Sequence, residues 1–178
     1  MGDVILDVGC GGGRTVHKLA QIATSGKVYG IDHSQESVAA SRRMNRNSVE
    51  SGLVEIRHGS VSNLPFPPDM FDLVTAVETH FFWPDLPADM REVLRVLKPG
   101  GTFVIIAETY KGGKLDKLLE QHGKSVKFID LAGSMKLARL SVDDHHNLFC
   151  NAGYSKVHIF EEYDKGWICG LGTKPSDH

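Results

Sequence analysis

The segment Val4–Arg14 constrains the fold of this chain more than any other stretch of its sequence. An apolar run with one acid, typical of a buried strand, leads directly into residues 9–13, of which all but one are glycine. Glycine is required where the backbone adopts positive φ, or where a ligand approaches the main chain more closely than a Cβ would permit. Apolar residues then recur at helical spacing. A strand, a glycine turn and a helix in this order form the nucleotide site of a doubly wound α/β sheet.

The spacing of the glycines separates two classes of ligand. The fingerprint of dinucleotide-binding folds is G-x-G-x-x-G. Starting from Gly9 and Gly11, its third glycine would fall on Arg14. The sequence instead has the pattern D-x-G-x-G-x-G from Asp7 to Gly13. A dinucleotide-dependent oxidoreductase is therefore disfavoured.

The rest of the chain alternates predicted strands with predicted helices, an order that favours a mostly parallel sheet covered on both faces. Gly26 is expected to end the first helix in the left-handed conformation, and Ser34 to cap the second. The second helix should continue to just before Gly52. The pattern Ser141-x-x-Asp144 predicts a capping box for the last helix.

The predicted strands number seven and belong to a single domain, residues 1–178. The fifth is expected over Thr102–Glu108, after a helix that Pro99–Gly101 stops. A sixth around Val157–Ile159 and a seventh over Trp167–Gly172 follow. The sequence contains no internal repeat and no linker to a second domain.

Composition narrows the function classes. A formal net charge of −2 gives no general attraction to nucleic acid or to an anionic membrane. No apolar run approaches the roughly 20 residues that span a bilayer, and no charged-then-apolar leader opens the chain. The 3 cysteines have no paired spacing, which argues against a disulfide framework and against a zinc site, and we expect no bound metal. We therefore expect a cytoplasmic protein.

Five segments in order resemble the motifs of the class I S-adenosylmethionine (SAM) dependent methyltransferases. The first is the glycine pattern described above. The others are the acid that ends strand two in 28–32, the adenine-side segment 59–66, the strand-four signature 71–74 and the junction 94–101. The ordered set is far more specific than any one of its members. The resemblance implies an α/β fold, a Rossmann-like doubly wound seven-stranded sheet that is mostly parallel with an antiparallel C-terminal strand.

The resemblance also implies a function. We expect SAM as cofactor, S-adenosylhomocysteine (SAH) as product and a small-molecule methyl acceptor that reacts by in-line displacement. The Asn-Pro-Pro-Tyr type motif, frequent after strand four in protein and nucleic-acid methylating members, is replaced here by Glu78-Thr79-His80. The alternative is a SAM-binding module without catalysis, or a partner of an active subunit.

The cofactor half of the site is implied residue by residue. The acid equivalent to Asp7 either orients the turn or meets the methionine amino group, and Asp32 is expected to accept both ribose hydroxyls. Ser60 stands where many members carry an aspartate, so we expect weaker selectivity for adenine. The full set of expected cofactor contacts is Asp7, Gly9, Cys10, Gly11, Asp32, His33, Gly59, Ser60, Val61, Val77 and Glu78.

The sequence indicates less about the substrate-binding half of the site. His80 is the candidate general base, because its unperturbed pKa lies near neutrality, and the alternative is a structural or solvated histidine. Phe81, Phe82 and Trp83 are expected to enclose the methyl-transfer space, although some of them should pack under the next helix. Tyr110, at the end of strand five, is a candidate pocket residue.

Three further expectations concern the C-terminal half. Residues 111–140 occupy the position of the family's substrate lid, and their excess of basic residues suits an anionic acceptor or a solvated helical face equally well. The pair His145-His146 is interpreted as exposed helix residues. Cys150 and Cys169 are interpreted as core residues.

The resemblance implies one or two helices before the first strand, which cover the methionine end of SAM. Here the first strand begins within three residues of Met1. We therefore expect either that the sequence is part of a longer protein or that a homodimer or another partner chain covers the open site.

Overall fold

The computed structural model describes residues 2–108, 110–113, 117 and 140–176. These residues form a seven-stranded sheet in the order β3-β2-β1-β4-β5-β7-β6. Strands β1 to β5 pair in parallel, and β7 runs antiparallel between β5 and β6. This confirms the predicted fold class. The strands are β1 (Val4–Val8), β2 (Lys27–Asp32), β3 (Val54–His58), β4 (Phe71–Val77), β5 (Leu97–Ala107), β6 (Ser155–Glu162) and β7 (Trp167–Thr173).

Helices connect the strands. Ser34 caps α2 by accepting from the Ser37 amide, and Ser141 and Asp144 form the reciprocal capping box of α5, both as predicted. The helices are α1 (Arg14–Ile22), α2 (Gln35–Met44), α3 (Arg46–Glu50), α4 (Leu86–Val96) and α5 (Val142–Ala152), with 3₁₀ turns at Val61–Asn63 and His80–Phe82.

Three local predictions were wrong. The helix after β2 breaks at Asn45, so α2 and α3 are separate. Helix α1 ends at Ile22, and a Cβ on Gly26 would collide with the Asp3 carbonyl, so this glycine serves a close approach of two backbones. Strand β5 begins at Leu97, because a register shift against β4 incorporates Pro99–Gly101 into the strand.

Each face of the sheet has its own core. Ile5 and Leu6 are neighbours on β1 and therefore point to opposite faces. Leu6 belongs to a cluster with Met90 of α4 and Phe149 of α5. Ile5 belongs to a cluster with Val16 of α1 and residues of α2. The two cores fix the carboxyl ends of the parallel strands at one edge of the sheet.

No helix among the described residues is both long and apolar enough to cross a membrane. Of the predicted lid, 111–140, only residues 111–113, 117 and 140 are described, and the remainder lies outside the described residues.

Candidate functional site

The glycine turn after β1 is held against β2. Gly9 and Cys10 donate their amides to the Ile31 carbonyl at 2.8 and 3.0 Å. Gly9, Gly11 and Gly13 have positive φ angles of 73°, 49° and 86°. A residue with a Cβ rarely adopts these angles. The local sequence therefore determines the path of the turn.

The glycines of the turn fall into two groups. A Cβ on Gly9 would collide with the Thr79 side chain, and one on Gly13 would lie 2.5 Å from Ser41 Oγ. At Gly11 and Gly12, a Cβ would meet no heavy atom within 4 Å. The first pair permits close packing within the protein, whereas the second exposes main chain on an open side.

Asp32, at the end of β2, lies directly opposite this open main chain. Its Oδ2 accepts from the Gly11 amide at 2.8 Å and its Oδ1 from the Ser34 amide at 2.9 Å. The residue is 7% exposed. Each carboxylate oxygen retains further lone-pair capacity, since an ionised carboxylate offers about four acceptor positions. The two fixed amides thus orient a carboxylate that can still accept from two hydroxyl groups.

A cavity of about 410 Å³ opens at this edge of the sheet. Its volume lies in the range of small-ligand sites, roughly 300–1,000 Å³. It lies where the strand order reverses between β1 and β4, the position at which open α/β sheets bind ligands. Its lining residues are Val8, Gly9, Ile31, Asp32, His33, Ser34, Ser37, Gly59, Ser60, Val61, Glu78, Thr79, Phe82, Trp83 and Pro84.

The structure brings most of the predicted site residues together in this cavity. Predicted residues that line it are Gly9, Asp32, His33, Gly59, Ser60, Val61, Glu78, Phe82 and Trp83. Predicted residues that do not line it are Asp7, Cys10, Gly11, Val77, His80, Phe81 and Tyr110.

Asp7 lies beneath the turn. It is 2% exposed, and its Oδ1 accepts from the Thr75 hydroxyl at 2.7 Å. Burial raises the pKa of its carboxyl to about 7, the negative charge of Asp32 adds to the increase, and the Thr75 hydrogen bond opposes it. Burial therefore favours the neutral acid form of Asp7 above the pH at which an exposed aspartate ionises.

The Cys10 side chain points into the core beneath α1 and α2. Its thiol lies 3.8 Å from Ser41 Oγ, and burial raises its pKa to about 12. A thiol in this state is not a nucleophile. Only the main chain of Cys10 is in a position to contribute to a ligand site.

Glu78 follows β4 in a left-handed conformation with φ of 56°. Its carboxylate accepts from the Glu108 amide, and its own amide donates to the Ile106 carbonyl at 2.9 Å. Burial raises the pKa of this carboxyl above its ordinary value. Asp32 and Glu78 place two carboxyl groups on the cavity, and its described lining contains no lysine or arginine.

His80 is 2% exposed, and its Nε2 lies 3.1 Å from Nε2 of His145. Burial, and the charge of His145, lower the pKa of His80 to about 3. His145 is itself 1% exposed, so its interpretation as an exposed residue was wrong. The general-base role of His80 stays a prediction.

Phe81 lies beside His80, with ring centroids 5.3 Å apart. Phe81 packs on a small cluster that contains Tyr110 and Ile168. Tyr110 is buried, its hydroxyl donates to Glu161, and burial raises its pKa. On α5, Cys150 is exposed, so its interpretation as a core residue was also wrong.

Sequence reasoning missed several lining residues, among them Ser34, Ser37 and Thr79. Ser34 and Ser37 could have been found, because the first turn of a helix after β2 lies at the ligand edge of a parallel sheet. Thr79 could not, because its contact with Gly9 depends on the adjacency of β1 and β4.

These features define an α/β protein with a ligand-sized cavity at the carboxyl edge of its parallel strands, an open glycine turn and a carboxylate fixed by two amides. Residues 6–105 match the family described as "Methyltransferase domain", and the chain belongs to this family.

Curated proteins that are similar to this chain carry methyltransferase names. The chain is 40% identical over 106 residues to the demethylmenaquinone methyltransferase of Symbiobacterium thermophilum, covering 59% of this chain and 42% of that protein. It is 31% identical over 130 residues to the sterol 24-C-methyltransferase of Saccharomyces cerevisiae, covering 73% of this chain and 33% of that protein. The chain spans about half the length, or less, of the curated relatives it matches.

Solved structures share the fold. The methyltransferase in complex with the Trm112 activator of Haloferax volcanii has a TM-score of 0.79 at 21% identity, covering 98% of this chain and 83% of that chain. The YcgJ protein of Bacillus subtilis has a TM-score of 0.75 at 17% identity, covering 98% and 93%.

Proposed function

We propose that this chain is a SAM-dependent methyltransferase that transfers the methyl group of SAM to a small-molecule acceptor by in-line displacement, with SAH as product. The observation that carries the proposal is the Asp32 carboxylate, oriented by the Gly11 and Ser34 amides toward a cavity of ligand size. A carboxylate at this position suits a ribose diol.

The charge of the cavity supports a sulfonium ligand over a dinucleotide. Asp32 and Glu78 line it without a lysine or arginine among the described lining residues. A pyrophosphate would place two further negative charges beside these carboxylates, which costs free energy in a partly desolvated site. A sulfonium and an ammonium group carry the complementary charge.

We assign roles to the other residues from their positions in the fold. The main chain of 9–11 contacts the ribose and methionine portions, and 59–61 contact the adenine, where the Val61 amide and the Ser60 hydroxyl are the polar groups. Glu78 and Val77 lie toward the methionine end. The Asp7 side chain connects β1 to β4, since its Oδ1 accepts from the Thr75 hydroxyl.

The chain's own contribution to the reaction is positioning. SAM supplies an electrophilic methyl group when it is bound. The half-exposed Phe82 and the stacked Trp83 form a wall that excludes water from the cavity and presents aromatic faces to a cation. Holding the acceptor in line behind the methyl group can supply most of the rate enhancement without a dedicated base. We therefore leave the buried His80 out of the proposed chemistry.

The experiment is isothermal titration of the chain with SAM, SAH and NAD. We expect SAM and SAH to bind and NAD not to compete. Asp32→Ala should weaken both affinities by about 100-fold, as expected for two lost charge-assisted hydrogen bonds. Asp143→Ala, at an exposed position of α5, is the matched control. Thermal unfolding of each variant establishes that it is folded.

Unchanged SAM affinity in Asp32→Ala would contradict the proposal, and so would tighter binding of NAD than of SAM. Binding of SAM without turnover of any acceptor would favour the non-catalytic module. Turnover with a quinone-type or sterol-type acceptor is the first to test, because relatives carry those names.

The proposal also includes a partner chain or homodimer and a cytoplasmic location. A structural neighbour was solved with an activator protein, which supports a search for a partner chain or homodimer by light scattering. The free thiols of Cys10, Cys150 and Cys169 are compatible with the cytoplasm.

A further inference from the structure

Two buried histidines connect α5 to one wall of the cavity. We call residues 78–84, which leave β4, the β4 wall, because Glu78, Thr79, Phe82, Trp83 and Pro84 all line the cavity. His80 lies within this wall and His145 lies on α5. Their Nε2 atoms are 3.1 Å apart and their ring centroids 5.1 Å apart.

The hydrogen bonds of the pair determine its tautomers. Nδ1 of His145 lies 2.7 Å from the Ser141 carbonyl, which can only accept, so Nδ1 carries the proton. A neutral imidazole carries one proton, so Nε2 of His145 is an acceptor. Nε2 of His80 must therefore be the donor, and its Nδ1 is left deprotonated.

A hydrogen bond in this direction requires a neutral His145, because Nε2 of His145 can accept only while it carries no proton. Nδ1 of His80 has no partner among the described residues. Burial lowers the pKa values of both histidines, which keeps them neutral. Asp144, the neighbour of His145 on α5, is a charged group that acts on His145, and Lys111 in turn acts on Asp144.

The pair is part of how the β4 wall is held. The Trp83 amide donates to the His80 carbonyl at 3.1 Å, so a displacement of His80 would move Trp83. Trp83 stacks on Phe103 at a centroid distance of 6.1 Å. Among the side-chain hydrogen bonds of the described residues, the His80–His145 contact is the one that ties this wall to α5.

We propose that His145 is a positioning residue: by accepting from Nε2 of His80, it fixes the tautomer and place of His80 and thereby the β4 wall that closes the cofactor site. The part of this inference that concerns the cofactor site rests on the proposed function, because its test measures SAH affinity. The contact itself is open to test without a ligand.

The test compares His145→Leu, His145→Gln and the exposed control His146→Leu. Leucine removes the acceptor, whereas the glutamine amide oxygen can replace Nε2 of His145. SAH affinity is measured by isothermal titration, and the His80 tautomer by ¹⁵N NMR. We expect His145→Leu to weaken SAH binding by about tenfold, as a displaced wall would. His145→Gln should restore most of the affinity and His146→Leu should match the parent chain.

Either of two affinity results would overturn the proposal: SAH affinity in His145→Leu equal to that of the parent chain, or equal losses in the leucine and glutamine variants. An Nδ1–H tautomer of His80 in the parent chain would do the same. If the parent chain binds neither SAM nor SAH, the proposed function fails. The wall is then tested by Trp83 fluorescence in a Trp167→Phe background, where we expect the leucine variant to shift the emission and the glutamine variant to leave it unchanged.

Discussion

The raised pKa of the Asp7 carboxyl predicts that the stability of this chain depends on pH. Its pKa is raised from 3.8 to about 7 in the folded chain, so the folded state holds a proton that the unfolded state releases. The free energy of unfolding therefore falls as pH rises from about 4 to about 7, and remains lower above that range.

Asp7→Asn should remove this dependence. The amide keeps an oxygen that accepts from the Thr75 hydroxyl, and it carries no charge to bury. We expect the variant to be more stable than the parent chain by roughly 4 kcal/mol at pH 8, since one pKa unit corresponds to about 1.4 kcal/mol, with little gain at pH 4. Thermal unfolding between pH 4 and 8.5 measures the difference. A stability difference between variant and parent that does not grow between pH 4 and pH 8 would contradict a raised pKa for Asp7.

At the scale of secondary-structure elements, the Asn45 side chain connects the end of α2 to the glycine turn. Its side-chain amide donates to the carbonyls of Gly13 and Ser41, each at 3.0 Å. We expect Asn45→Ala to lower stability by about 1–3 kcal/mol, because the lost donor leaves buried carbonyls with fewer partners. SAM affinity should fall as well, since Gly13 ends the turn. Asn47→Ala, exposed on α3, is the control in both unfolding and titration. Equal effects of the two substitutions would show that the Asn45 side chain does not hold the glycine turn against α2.

The same residue shows where sequence reasoning reaches its limit for elements. The caps at Ser34 and Ser141 were predictable because each satisfies amides within its own helix. The break at Asn45 was not, because its side chain bonds to Gly13, which is 32 positions away. The close approach of Gly26 to Asp3 is likewise a contact between backbones that no local pattern records.

At the scale of the whole molecule, the site is the edge where β1, β2 and β4 end together. The glycine turn and Asp32 were predictable, because each follows its own strand. Thr79 contacts Gly9 only because β4 pairs with β1. His80 contacts His145 only because α5 packs on the same face of the sheet as α4, the helix that follows His80. The residues proposed to bind the cofactor are thus largely set by local sequence, whereas the walls of the cavity depend on long-range packing.

Because the ligand edge joins three strands of one sheet, occupancy of the cavity should stabilise the whole chain. A ligand present at 100 times its Kd raises the free energy of unfolding by about 2.7 kcal/mol. For a chain of this size, we expect SAH to raise the Tm by roughly 5–10 °C. NAD at the same concentration should give no shift, and Asp32→Asn should abolish the SAH shift while remaining folded. A retained SAH shift in Asp32→Asn would exclude Asp32 as a ribose ligand, and a larger shift with NAD would assign the cavity to a dinucleotide.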